Sequence, residues 1–180
     1  MKVKTKGKDV KVAIIDTRIN SDIDPLKNKL KNSHDWTGEG DMIGNDLYLT
    51  QDLHGHTEHG HGTSIASVIT YIAPDAKLLN YKAMSAFSGK ASSHDKDNVI
   101  DAINKSVTDG ADIINLSLGF DACIDGCCAI CQAVDNAVKA GLNVVAAMGN
   151  THRTVKSPPD CPAQARSAMS VAASTKSDTI

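Results

Sequence analysis

Three residue types that together support acyl transfer stand at three separated points of the chain. A carboxylate ends an apolar run in Ala13-Ile14-Ile15-Asp16-Thr17. A histidine opens a segment of helical periodicity in Gly60-His61-Gly62-Thr63-Ser64-Ile65-Ala66-Ser67. A side-chain amide follows another apolar run in Val144-Val145-Ala146-Ala147-Met148-Gly149-Asn150. An imidazole can move a proton between nucleophile and leaving group, a carboxylate can orient it, and an amide can donate to a developing oxyanion. Each residue also has a plainer reading. A strand-end aspartate often caps a turn or helix, a single histidine is commonly a loop residue, and asparagine after glycine is usually a turn former.

Two further clusters have metal or redox chemistry within reach. His54-Gly55-His56-Thr57-Glu58-His59-Gly60-His61 packs four histidines and a glutamate into eight residues, a donor set suited to zinc or nickel. The alternative is a solvated glycine-rich loop leading into His61. Of the five cysteines, Cys123, Cys127, Cys128 and Cys131 crowd together and Cys161 stands apart. An odd count leaves at least one thiol unpaired within the chain. Free thiols, a disulfide such as Cys131–Cys161, and a zinc site on the C-x3-C-C-x2-C run all remain open, although adjacent cysteines make poor co-ligands.

The elements that must position these residues follow from apolar spacing. Val10 to Ile15, Lys77 to Ala83, Ala111 to Leu118, Leu142 to Ala147 and Ala168 to Ala173 read as strands. Between them, Ile65 to Ile72, Val99 to Val107 and Ala129 to Val138 carry helical periodicity, the last two stopped by Gly110 and Gly141. Asn32 to Gly60 reads as loops with short strands, and Ser85 to Ser93 as a polar loop. Near-continuous apolar strands alternating with helices predict an α/β fold, a parallel sheet with helices on both faces. Ligands of such sheets sit beyond the carboxyl ends of the strands, where Asp16, Ser117-Leu118-Gly119 and Gly149-Asn150 all fall.

Composition narrows the partners. With 180 residues the chain suits one domain spanning 1–180. A net charge of −2 gives no electrostatic case for nucleic acid or an anionic membrane, and no apolar run has the length of a bilayer span. Met1 to Lys6 is basic, but no apolar signal segment follows, so the compartment stays open. No motif requires a metal or cofactor.

The motifs, taken in order, resemble those of the subtilases, the subtilisin-like serine peptidases. Ile14-Ile15-Asp16-Thr17 is similar to the family's aspartate motif, and His61-Gly62-Thr63 with Ile65-Ala66 to its histidine motif. Gly110 to Gly119 resembles the substrate-strand segment, and Gly141 to Asn150 the strand bearing the oxyanion-hole asparagine. The resemblance implies a subtilisin-like three-layer sandwich and an Asp-His-Ser endopeptidase acting on polypeptides. It gives Asp16 the orienting role, His61 that of general base and acid, and Asn150 the oxyanion donor. Leu116-Ser117-Leu118-Gly119 would pair an extended substrate as an added strand.

The departures are specific. Arg18 stands where the family has glycine after Asp-Thr or Asp-Ser, and its charge could crowd Asp16 or compete for it. Ser64 replaces a frequent histidine. The Gly-Thr-Ser-x-Ala-x-Pro nucleophile motif does not occur before Ile180, so a C-terminally truncated domain, inactive alone, is expected. Gly62-Thr63-Ser64-Ile65-Ala66 imitates that motif but overlaps the histidine motif and lacks its proline. A sheet ending there is expected to be marginal, to self-associate or to need the missing segment as its cover. An inactive, peptide-binding relative is the alternative function, and a metal-binding domain built on the histidine loop the weaker one.

Overall fold

Apolar residues at every position, rather than every second one, are what bury a strand on both faces. Strand β1 (Lys11–Asp16) meets this condition: Val12 and Ile14 join one core cluster, Ala13 and Ile15 the other. The computed structural model describes residues 5–38, 50–51, 57–58, 60–84, 93–120, 128–150 and 158–174. Within these, β1 lies in a six-stranded parallel sheet ordered β2-β5-β1-β6-β7-β8. Its companions are β2 (Leu30–Asp35), β5 (Lys77–Lys82), β6 (Ile113–Leu116), β7 (Asn143–Ala147) and β8 (Met169–Val171). The two-residue strands β3 (Thr50–Gln51) and β4 (Thr57–Glu58) form a separate antiparallel pair.

Helix α1 (His61–Ile72) brings Ala66, Ile65 and Ile69 onto the face of Val12 and Ile14. Helices α2 (Ser93–Thr108) and α3 (Ala129–Lys139) cover the opposite face with Val99, Ile103, Ile130 and Val134. The expected three layers are present. Gly110 and Gly141 follow α2 and α3 with positive φ, the conformation that ends a helix at least steric cost.

Two elements differ from the sequence reading. Strand β2 carries no apolar alternation, and its central side chains are exposed. It pairs with β5 through its backbone, with a register shift after Leu30, and Ser33 Oγ accepts from Asn80 Nδ2 at 3.0 Å. A polar, irregular strand is what a sheet edge tolerates. At the other edge, β8 is shorter than the apolar run Ala168–Ala173, and all three of its residues are exposed. The expected polar loop from Ser85 lies, up to residue 92, outside the described residues.

Candidate active site

All six strands run in parallel, so their carboxyl ends share one edge. The chain passes from β5 through α2 to β6, on the other side of β1, and the end of β1 is therefore a switch point of the topology. Asp16 occupies it. Its side chain is only 2% exposed, and Oδ1 lies 2.8 Å from Nδ1 of His61, the first residue of α1. With a proton on Nδ1 the ring donates to the carboxylate. Thr17 donates to the same oxygen from its backbone N–H at 2.7 Å and its hydroxyl at 3.2 Å. Oδ2 is buried and has no hydrogen-bond partner among the described residues. The His61 side chain is 53% exposed while its Nδ1 is held by the buried carboxylate.

A glycine makes this approach possible. A Cβ on Gly62 would come within 2.8 Å of the carbonyl oxygens of Thr17 and Arg18. Without one, α1 seats directly on the turn after β1, and Gly62 N–H donates to Thr17 Oγ1 at 3.0 Å. Asn20 N–H donates to Thr63 Oγ1 at 2.9 Å, a second tie between turn and helix. The competition expected of Arg18 does not occur among the described residues: the Asp16 carboxylate bonds only Thr17 and His61. Ser64 is exposed, one turn along α1 from His61.

The other sequence-predicted residues follow the ends of neighbouring strands on the same edge. Leu116 and Leu118 bury their side chains in the core, Ser117 is half-buried with its Oγ accepting from Asn115 Nδ2 at 3.0 Å, and Gly119 is exposed. The segment can therefore meet a substrate through its backbone and not through its leucine side chains. Asn150 is exposed, just beyond Gly149, whose φ is +103°. Beside the Asp16 end of the sheet, Lys82 and Asp35 form a buried ion pair at 3.6 Å. Burial alone would raise the Asp35 pKa, but hydrogen bonds from Thr37 and the Lys82 charge outweigh it and hold the carboxyl below its ordinary value.

Cysteines Cys128, Cys131 and Cys161 converge, with sulfurs 2.7 Å apart for Cys128–Cys161, 3.3 Å for Cys128–Cys131 and 3.4 Å for Cys131–Cys161. No disulfide joins these three, so the candidate Cys131–Cys161 bridge is not formed, and Cys128 is the nearer neighbour of Cys161. Burial, reinforced by the two neighbouring thiols, pushes the Cys161 pKa up and keeps it protonated. This trio is the one His/Cys/Asp/Glu group among the described residues arranged to hold a metal, and thiolate donors would suit zinc. Cys123, Cys127, His54, His56 and His59 lie outside the described residues.

Residues 7–180 match Peptidase S8, the subtilase family. The chain belongs to the subtilase family. This subtilase is 35% identical over 149 residues to the major intracellular serine protease of Bacillus subtilis (strain 168), covering 81% of the chain and 44% of that relative. It is 31% identical over 179 residues to thermitase of Thermoactinomyces vulgaris, covering 96% of the chain and 58% of that relative. Among solved structures, the crystal structure of a lanthipeptide protease superposes with a TM-score of 0.72 at 25% identity, covering 98% of this chain and 52% of the other. The subtilase chain thus spans about half the length of these relatives.

Two features of the site leave little signal in the sequence. The Thr17 hydroxyl, which links Asp16 to Gly62, was signalled only by its place after the aspartate. Asp160, whose carboxylate lies against Gly119 and Gly149, sits in a Pro-Pro-Asp-Cys-Pro stretch that reads simply as a loop.

Proposed function

We propose that the protein is a subtilisin-like serine endopeptidase and that residues 1–180 belong to a single peptidase domain. In this reading Asp16 accepts a hydrogen bond from His61 Nδ1–H, fixing the tautomer whose Nε2 is basic. His61 Nε2 takes the proton of a serine hydroxyl as that oxygen attacks the scissile carbonyl carbon. The Asn150 amide donates to the oxyanion of the tetrahedral intermediate, an interaction worth about 3 to 4 kcal/mol of barrier where such a donor has been removed. The imidazolium then protonates the leaving amine, and water releases the acyl group by the same relay. The extended polypeptide lies beside Leu116-Ser117-Leu118-Gly119. The family's serine motif does not occur within residues 1–180, and these 180 residues alone do not hydrolyse peptide bonds at an enzymatic rate.

The observation that carries this reading is the 2.8 Å contact between buried Asp16 and half-exposed His61, made at the switch point of a parallel sheet. Family membership supports the reaction class. The test is fluorophosphonate labelling of the full-length protein, alongside the 180-residue chain and a His61→Ala variant. Stoichiometric labelling of a serine in the full-length protein alone is expected. Labelling of Ser64 in the short chain would overturn the assignment of roles. A full-length protein that binds peptides and takes no label would favour the non-catalytic relative.

A further inference from the structure

We propose that Asp160 selects a basic side chain, lysine or arginine, in the substrate residue preceding the scissile bond. The inference rests on the peptidase reading above and extends it to the class of substrate. The loop before β8 is pinned between two strand ends by its backbone. Asp160 N–H donates to Met148 O at 2.9 Å, just past β7, while Phe120 N–H donates to Cys161 O at 2.8 Å and Cys161 N–H to Phe120 O at 3.1 Å, just past β6. These bonds set Asp160 in the gap between the two ends.

Its side chain fills space that only glycines leave. A Cβ on Gly119 would meet Asp160 Oδ2 at 2.9 Å, and a Cβ on Gly149 would overlap that oxygen outright. Gly119 ends the proposed substrate segment, and Gly149 directly precedes the proposed oxyanion donor Asn150. A carbonyl polarised by Asn150 belongs to the residue before the scissile bond. That residue's side chain therefore starts close to Gly149, and a long one extended between the two strand ends reaches Asp160.

The carboxylate is available for such a contact. Among the described residues it makes no ion pair or side-chain hydrogen bond, and it is only partly buried. A carboxylate held between two strand ends, with no cation beside it among the described residues, favours an ammonium or guanidinium and rejects acidic side chains. Apolar side chains would leave it desolvated and unpaired.

The test uses the full-length protein and peptides that differ only before the scissile bond, as Arg, Lys, Leu, Phe or Glu. Arg and Lys are expected to exceed the others by about 100-fold in kcat/KM. Asp160→Asn should erase this gap by lowering the basic substrates alone, and Asp160→Ser, smaller and uncharged, should do the same if the first variant misfolds. A wild type that prefers Leu or Phe, or a variant that lowers all substrates equally, would overturn the inference and leave the peptidase reading intact. If no peptide is cleaved and no serine labels, the peptidase reading fails separately. Binding of benzamidine, measured by calorimetry, then decides: loss of binding in Asp160→Asn keeps the cation site, and no binding by the wild type removes it.

Discussion

Asp16 and His61 depend on each other in a way that separates orientation from fold. Asp16→Asn keeps the shape of the side chain but favours the opposite imidazole tautomer, and on the proposed peptidase reading should lower kcat of the full-length protein by about 10⁴-fold. Its thermal melt should stay near that of the wild type, and steady-state kinetics with melting checks both halves of the statement. Gly62→Ala acts differently. Its methyl group would press on the Thr17 and Arg18 carbonyls, prise α1 from the end of β1 and break the Gly62–Thr17 hydrogen bond. A loss of about 1 to 3 kcal/mol in urea unfolding is expected, together with reduced activity. The acid and the base were legible in the sequence because each ends or opens an element with a strong apolar signature. Asp160 was not, since its position is set by the ends of β6 and β7, and pairing between remote segments leaves no mark in local spacing.

At the scale of elements, edge strand β2 is joined to its neighbour β5 by the buried Asp35–Lys82 pair. Because the Asp35 pKa is lowered in the fold, its contribution to stability is present above the unfolded value, about 3.9, and is lost as pH falls through the lower folded value. Asp35→Asn should therefore cost about 3 kcal/mol at pH 6, the low end for a broken buried pair because Lys82 keeps another interaction. The cost should shrink progressively as pH falls below the unfolded value of about 3.9, and urea titrations along that pH series test this. The strand itself could not be read from Leu30 to Asp35, since a strand held at an edge by backbone bonds needs no apolar alternation. By contrast β1, β5, β6, β7 and the three helices were all legible, because two-sided or one-sided burial dictates their residue pattern. At the N-terminus of α3 the 2.7 Å approach of Cys128 to Cys161 has a redox consequence. Oxidised glutathione should convert these two thiols to a disulfide and be reduced in turn, with thiol titration falling by two and peptide mapping identifying the pair. Closing that loop should stabilise the fold by about 3 to 4 kcal/mol.

Across the whole molecule, apolar surface remains on two exposed elements. Tyr71 on α1 is 87% exposed, and Met169 and Val171 on β8 are 62% and 50% exposed. Leaving about 200 Å² of such surface in water forgoes about 5 kcal/mol, comparable to the entire stability of a weak domain. The isolated 180-residue chain should therefore self-associate. Analytical ultracentrifugation should show a concentration-dependent mass that Met169→Lys with Val171→Lys reduces, and a monomeric wild type melting above roughly 60 °C would contradict the expectation. The strand order carries a further consequence, for the order of events on the ribosome. Lys11 of β1 pairs with Lys77 of β5, and Val12 with Ile113 of β6, so neither neighbour of β1 exists when β1 emerges. At roughly 5 to 20 residues per second, β1 spends seconds as an unpaired apolar segment before its first neighbour is made. Asp16 and His61 can both be synthesised well before the sheet that holds them can close, and the nascent chain is most open to chaperones and proteases during that interval.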